Sequence, residues 1–561
     1  KLAHESGYLS RLIEEHILEN PHRTTLVVKP DPHYFEKQHQ ERSDVLRSIS
    51  ESFTEQDISR IKQQNKLLYV FQETPDSTEE LENIPTLSLE DLPREVRTID
   101  TGLEYIEECP IYTHDIYTND VIYIDFGFEI NDLDLDELKF LPLFSKALYN
   151  VGLPGKGYEQ VARDMSRCSG GFGYSLEASG MPKAPGEHRR FLFYRLRTLP
   201  HTVEEALRLV QRLLTEVAFS NTSRLGELLL EMRNNLKASI IPRGNSFATL
   251  RAAQYISPVI AAEEQWRGIS QYRFLNQMIE DHDAAGAESL PDLFTRMLSR
   301  IITRDRLVLN ITSPREHWAH AFSTLSELIE ALPAPARPSP DPPADVLSHQ
   351  ASPRAWADTD ASPRVKSEAL EVPASVGYAA RVLPGSLLGT AGHSYQSVLA
   401  HLLTTGMLWQ KIRMTGGAYG AAANANATEA LFAFSSYRDP STASSLETFR
   451  SSLEAVAEGK IENDEIEKSI IGTVGKSSRP MSSRTKGFVG FRRNLYGVED
   501  EMRQKKRDDV LGTEKHHLAD AAGELLSNLS RGVFVVMADN KQTDAVSTQY
   551  GPFDITTQVP F

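Results

Sequence analysis

The stretch KIRMTGGAYGAAANAN, residues 411–426, sets Arg413, the pair Gly416–Gly417 and Tyr419 close together and runs on in small residues. Two readings of it stand side by side. In the chemical one, the glycine turn brings a guanidinium and a phenol together at a sheet edge. There both could donate hydrogen bonds to a peptide carbonyl and stabilise an oxyanion. In the structural one, Arg413 complements the negative end of a helix macrodipole, Gly416 or Gly417 supplies a left-handed cap, and Tyr419 packs in a strand. On spacing alone the structural reading is the more economical.

Other chemistry is thinly represented. Neither H-x-x-E-H nor H-E-x-x-H occurs, and there is no Walker loop, G-x-S-x-G or pair of C-x-x-C motifs. Being adjacent, His516 and His517 are expected on different faces of a helix, a poor chelate. His33 and His39 flank the start of a charged helix. Gly170-Gly171-Phe172-Gly173 has part of the look of a phosphate loop, but no lysine or acid stands where a nucleotide needs it, so a turn is expected.

The elements that would carry these residues are readable. Leu9, Leu12, Ile13, His16 and Ile17 share a helical face. TTLVVKPDP predicts a short buried strand over 24–29, stopped by Pro30 and Pro32. Residues 34–73 predict a helical hairpin with a solvated outer face, followed by a proline-punctuated connector. DVIYIDFGFEI alternates, with Ile122, Ile124, Phe126, Phe128 and Ile130 on one side, as in a half-buried antiparallel strand. DELKFLPLFSKALYNVG predicts a helix closed by Gly152. FGYSLEA, RFLFYRLRTL and RLVLNITS predict strands. TVEEALRLVQRLLTEVAF carries an apolar stripe through Val203, Ala206, Leu207, Val210, Leu213, Leu214 and Val217.

After residues 333–365, rich in Pro, Ala, Ser and Asp and read as a linker or insertion, the pattern returns. A strand (SVGYAARVLP) precedes a long helix (SYQSVLAHLLTTGMLWQKIR), strands, two helices and the strand RGVFVVMAD. CSGGFGYSLEASG matches MTGGAYGAAANAN in place and character, and TVEEALRLVQRLLTEV corresponds to SLETFRSSLEAV. The expectation is an internal duplication of an α+β unit.

The bulk numbers agree with a globular multidomain chain of 561 residues. A net charge of −17 argues against a general nucleic-acid binder, and no apolar run is long enough to cross a membrane. Cys109 and Cys168 are the only cysteines, which excludes a disulfide scaffold and a four-thiolate zinc site. The chain opens without Met and in what reads as mid-helix, so the true N-terminus is expected upstream.

Taken together, IRMTGGAYG, LFAFSSYRDP, FQETPD, IPTLSLEDLPRE and ENPHRTTLVVKPDP resemble the presequence-protease family, the falcilysin-like branch of the pitrilysin-type zinc metallopeptidases. The resemblance runs from about residue 8 to about 540. It implies an α+β fold with two duplicated metallopeptidase-type sandwich domains, each an antiparallel-rich sheet with helices on one face, preceded by a helical hairpin linker. The implied partition is the end of a second domain (1–32), hairpin and connector (33–97), a third, degenerate domain (98–332), a Pro-rich linker (333–368) and a fourth domain (369–561).

The resemblance also implies a clamshell closing on unstructured peptides. Zinc, bound by H-x-x-E-H and a distal glutamate of an N-terminal half not contained here, would activate water for hydrolysis. In LFSKALYNVG the matching positions hold Leu143, Lys146 and Ala147, so this chain is expected to bind no zinc and to be inactive alone. By motif, Arg413 and Tyr419 match an assisting pair, with Gly416 and Gly417 at the substrate. Expected partners are peptide substrates and the N-terminal half, in the same or a separate polypeptide. The compartment is a bacterial cytoplasm or a mitochondrial matrix. The alternative is a non-catalytic scaffold or peptide-binding subunit of the same fold.

Overall fold

The computed structural model describes residues 7–74, 77, 79, 83–282, 290–334 and 363–561. Most of the linker expected over 333–368 lies outside the described residues. The chain divides into two compact units, Lys1–Thr86 and Leu87–Phe561.

In the first unit, the helices Tyr34–Ser52 and Glu55–Glu73 meet at Phe53–Thr54. Thr54 begins the second one: its Oγ1 accepts from the Asp57 amide at 3.2 Å while Asp57 accepts from the Thr54 amide at 3.1 Å. The strand expected over 24–29 does not form. Leu26, Val27 and Val28 belong to no strand or helix and are exposed. Composition favours a strand here, but a strand is stabilised by a paired neighbour, and the described residues of this unit contain none.

In the second unit, twelve strands of the described residues make two sheets. The first holds β1 (Gly102–Ile106), β2 (Cys109–Asp115), β3 (Ile122–Glu129), β4 (Gly171–Met181), β5 (Ala184–Thr198) and β6 (Leu307–Ser313) in the order β1-β2-β6-β3-β5-β4. The second holds β7 (Ser367–Glu371), β8 (Tyr378–Pro384), β9 (Gly420–Asn426), β10 (Leu431–Tyr437), β11 (Val533–Ala538) and β12 (Ile555–Gln558) in the order β12-β7-β11-β8-β10-β9.

The duplication is therefore topological. β3, β4, β5 and β6 correspond to β8, β9, β10 and β11, each antiparallel to its neighbours within that set, and β2 and β7 run parallel to β6 and β11. Only the outer strand differs: β1 joins antiparallel from the start of the unit, β12 parallel from its end.

Each sheet buries one face under helices of its own half. The stripe of Val203–Thr215 packs into the first core as its periodicity predicts. The helix expected over DELKFLPLFSKAL is split, because Pro142 opens a new helix at Leu141–Ala147.

The other faces are covered reciprocally. The helix Gly244–Ala253, from the first half, packs on β8 and β11 of the second sheet. The helix Ser483–Leu495, from the second half, packs on β2 and β6 of the first, and joins Phe488, Phe491 and Leu495 to Phe191, Phe193 and Val308. β3 is consequently not half-buried. Asp125, on its expected solvent face, is buried and paired with Arg195 at 2.7 Å, and Arg195 stacks on Phe488 at 3.7 Å.

Glycines allow this close approach. A Cβ at Gly487 would run into Thr312 Oγ1, and one at Gly490 would lie 2.5 Å from His114 Nε2. Gly487→Ala is expected to destabilise the protein by about 1–3 kcal/mol, the scale of overpacking, as read by a lowered urea midpoint.

Burial also makes two histidines pH-sensitive. It holds His114 at about 4, and, with the neighbouring Lys506, His393 at about 3, against 6.5 for a free imidazole. The unfolded chain takes up these protons first. Their stabilising effect is complete above pH 6.5 and is lost as pH falls toward 4, by up to ~3 kcal/mol for His114. Urea midpoints are expected to fall between pH 6.5 and 5, less steeply in His114→Asn.

Candidate functional site

The stretch 411–426 follows the helix Ala391–Thr405 through a widened π-type turn, Trp409–Thr415. Its hydrogen bonds reach five or six residues back: Gly416 N to Lys411 O at 2.9 Å and Ala418 N to Ile412 O at 3.0 Å. Buried Ile412 and Ala418 anchor the turn, so Arg413 and the residues between them project outward.

The two glycines have different duties. Gly417 takes the left-handed conformation, φ +76. Gly416 is right-handed, and a Cβ there would sit 2.6 Å from Ile412 O. The left-handed cap expected of either glycine belongs to Gly417.

Tyr419 does not pack in a strand as the structural reading expects. It stands just before β9 and is 65% exposed. The register fixes it: Gly420 pairs with Tyr437, and the Tyr419 amide donates to Tyr437 O at 3.1 Å. The Arg413 guanidinium carbon lies 5.8 Å from the Tyr419 ring centre, within cation–π range. Among the described residues neither side chain has a hydrogen-bond partner, so both polar ends face outward.

Sequence reasoning missed two neighbours. Tyr437 meets Tyr419 edge to face at 5.7 Å, and its hydroxyl donates to Pro242 O at 3.0 Å. Arg438 approaches both rings, at 6.0 and 5.5 Å, from a left-handed backbone, φ +49. A non-glycine residue held there is strained. The signal was the phrase SSYRDP, but only the β9–β10 register shows that it meets Tyr419. The resulting surface, two tyrosines flanked by two arginines, can grip an extended backbone and its carbonyl oxygens.

The positions matched to the zinc motif do not fit a metal. Leu143 and Ala147 are buried in the first core, and Lys146 forms an ion pair with Glu231 at 2.8 Å. An ammonium group thus occupies the carboxylate that a cation would otherwise attract. The one group of three potential ligands among the described residues, Asp120, Glu316 and His317, lies elsewhere with both carboxylates exposed. His516 and His517 do not diverge as expected. Their rings lie 3.9 Å apart, and His517 stacks on Tyr395 at 4.2 Å, which occupies it structurally. The turn expected over Gly170–Gly173 is instead the start of β4: Gly171, Phe172 and Gly173 pair with β5, and the Arg197 side chain holds Gly170 O just before it.

The two like sheets, each with helices of its own half on one face, define the class: the fold of peptidase M16 domains. A crystal structure of the inactive domain of a peptidase M16 from Pseudomonas fluorescens matches with a TM-score of 0.54 at 14% identity, over 79% of this chain and 98% of that one. The family profile described as associated with peptidase M16, subfamily C, matches residues 28–278, and that of the PreP C-terminal domain matches residues 367–540. Presequence protease 1, chloroplastic/mitochondrial, of Arabidopsis thaliana is 26% identical over 97% of this chain and 49% of its own length. The mitochondrial presequence protease of Yarrowia lipolytica is 26% identical over 94% and 52%. The chain spans about half the length of the curated relatives it matches. It belongs to the presequence-protease family, of which it represents the C-terminal half.

Proposed function

We propose that this chain is the C-terminal half of a zinc metalloendopeptidase that degrades short unstructured peptides in a closed chamber. The observation that carries the reading is the exposed pairing of Arg413 with Tyr419, in the region matched by the PreP C-terminal profile. A tyrosine serving only to pack a strand would be buried, and Tyr419 is not. Zinc belongs to the N-terminal half and supplies the hydrolytic chemistry there.

The residues of this chain hold and polarise the substrate. The Arg413 guanidinium anchors a backbone carbonyl near the scissile bond. The Tyr419 hydroxyl donates to the scissile oxygen, and its bond strengthens as negative charge builds on that oxygen. Gly416 and Gly417 let the peptide approach the main chain. The partition into a degenerate domain over 98–332 and a pair-bearing domain over 369–561 follows the same reading.

The test is hydrolysis of a short basic unstructured peptide, with zinc, by this chain, by an N-terminal half of the family, and by the two combined. Cleavage is expected only from the combination. No cleavage by a folded combination would leave the scaffold reading in its place.

A further inference from the structure

Apart from the Arg413–Tyr419 surface, the second unit contains a cavity of about 450 Å³ between the segment 93–97, β9 and the helices Asn463–Ser477 and Asp500–Leu511. Its charge is lopsided. Arg97, Lys476, Arg493, Arg503, Lys506 and Arg507 line it, against Glu95 as the single acidic lining residue. The whole chain carries a net charge of −17, so this concentration of cations runs against the composition.

The cations are poorly compensated from within. Lys506 Nζ lies 2.9 Å from His393 Nε2, a neutral acceptor, and has no carboxylate partner among the described residues. Arg507 is only 5% exposed and donates to neutral oxygens alone: Pro93 O, Ser477 Oγ at 2.9 Å and Ser478 Oγ at 3.3 Å. Arg493 Nη1 is buried with no partner among the described residues. Among the described residues, Arg503 alone of these cations has a carboxylate partner, Asp500. Asp509 is engaged by Lys505 and Ser394.

Burial lowers Lys506 to about 8 and Arg493 to about 10, the mark of cations desolvated without a counter-charge. Such clustering costs free energy unless an anion completes it. Leu388, Val474, Val498 and Val510 give the cavity an apolar wall. Its volume lies within the ~300–1,000 Å³ range of small-molecule sites.

We propose that this cavity binds a small multivalent phosphate, either free pyrophosphate or the diphosphate end of a nucleotide. Several fixed donors converging on one cavity suit an oxyanion with several acceptor oxygens. Arg97, exposed at the mouth, would meet it first, and Arg493, Lys506 and Arg507 would hold it inside. The assignment is independent of the peptidase reading and is measurable on this chain alone.

The experiment is calorimetric titration of the 561-residue chain with pyrophosphate and with ADP at low ionic strength. One saturable site is expected, weakened about tenfold or more in Lys506→Met and in Arg493→Gln and unchanged in Lys541→Met, an exposed residue of the helix Asn540–Tyr550. Arg97→Gln, whose exposed position spares the fold, gives a second reading of the loss. Tighter binding of ADP assigns the nucleotide; tighter binding of pyrophosphate assigns the free anion. Absence of saturation by both, or binding indifferent to all three cavity substitutions, overturns the proposal.

Discussion

Tyr419→Phe, in an enzyme assembled from this chain and a zinc-bearing N-terminal half, is expected to lower kcat about 10²–10³-fold with little change in KM. That is the scale of a lost oxyanion donor. The substitution removes one oxygen from a side chain that is 65% exposed and makes no hydrogen bond among the described residues. Folding should not register it, and the unfolding midpoint serves as the control. Arg413→Ala is expected to raise KM as well as lower kcat, because a guanidinium on a backbone carbonyl near the scissile bond both binds the ground state and orients the reacting carbonyl. Arg413 also stands at the C-terminal end of its turn, so part of any stability loss belongs to the macrodipole. Arg413→Lys separates the two: it keeps the charge at the turn and loses the planar fork. If the Lys variant folds like the parent but turns over like the Ala variant, the fork acts on substrate. Full turnover in both Tyr419→Phe and Arg413→Ala would return the pair to a structural role.

The second large effect concerns stability. Arg251, in the helix that covers the second sheet, reaches Glu368 on β7 through two bonds, Nε at 2.8 Å and Nη2 at 3.0 Å. It also donates to Glu264 at 3.2 Å and Ser270 at 2.8 Å. Tyr255 and Thr557 donate to the remaining lone pairs of Glu368 at 2.7 and 2.9 Å. Both carboxylates are fully buried, and burial pushes the Glu264 carboxyl up. Arg251→Met leaves them without a cation and is expected to cost about 3–5 kcal/mol, measured by urea unfolding. Replacing both partners, Arg251→Met with Glu368→Leu, should recover part of that loss, since the uncompensated charge goes too. Equal losses in the single and double variants would mean that the arginine acts by packing alone.

Much of this architecture was legible beforehand because its signals are local. The stripe from Val203 to Leu214 needs only a helical period, and the match of CSGGFGYSLEASG to MTGGAYGAAANAN was enough to announce two like sheets. Failures came where a residue's surroundings are supplied from far along the chain. Asp125 alternates like a solvent-facing residue, yet Phe488, hundreds of residues later, covers its partner Arg195. Leu26 to Val28 have strand composition without a strand beside them. At the candidate site, the spacing of Arg413 and Tyr419 was visible, but Tyr437 and Arg438 enter through the β9–β10 register, which no local pattern encodes. The cationic cavity escaped notice for the same reason: Arg97, Arg493 and Lys506 sit in separate segments, each ordinary when read alone.

The exchange of covering helices between the two sheets carries a historical consequence. Gly244–Ala253 and Ser483–Leu495 hold corresponding places in the chain order, each the third helix after the strand next to its sheet's edge, and each lies across the sheet of the other copy. An isologous homodimer has this relation between its subunits, the same patch given and received on both sides. Joining its subunits end to end would leave the arrangement seen here. The two halves of this chain thus stand to each other as two subunits that lend each other a helix.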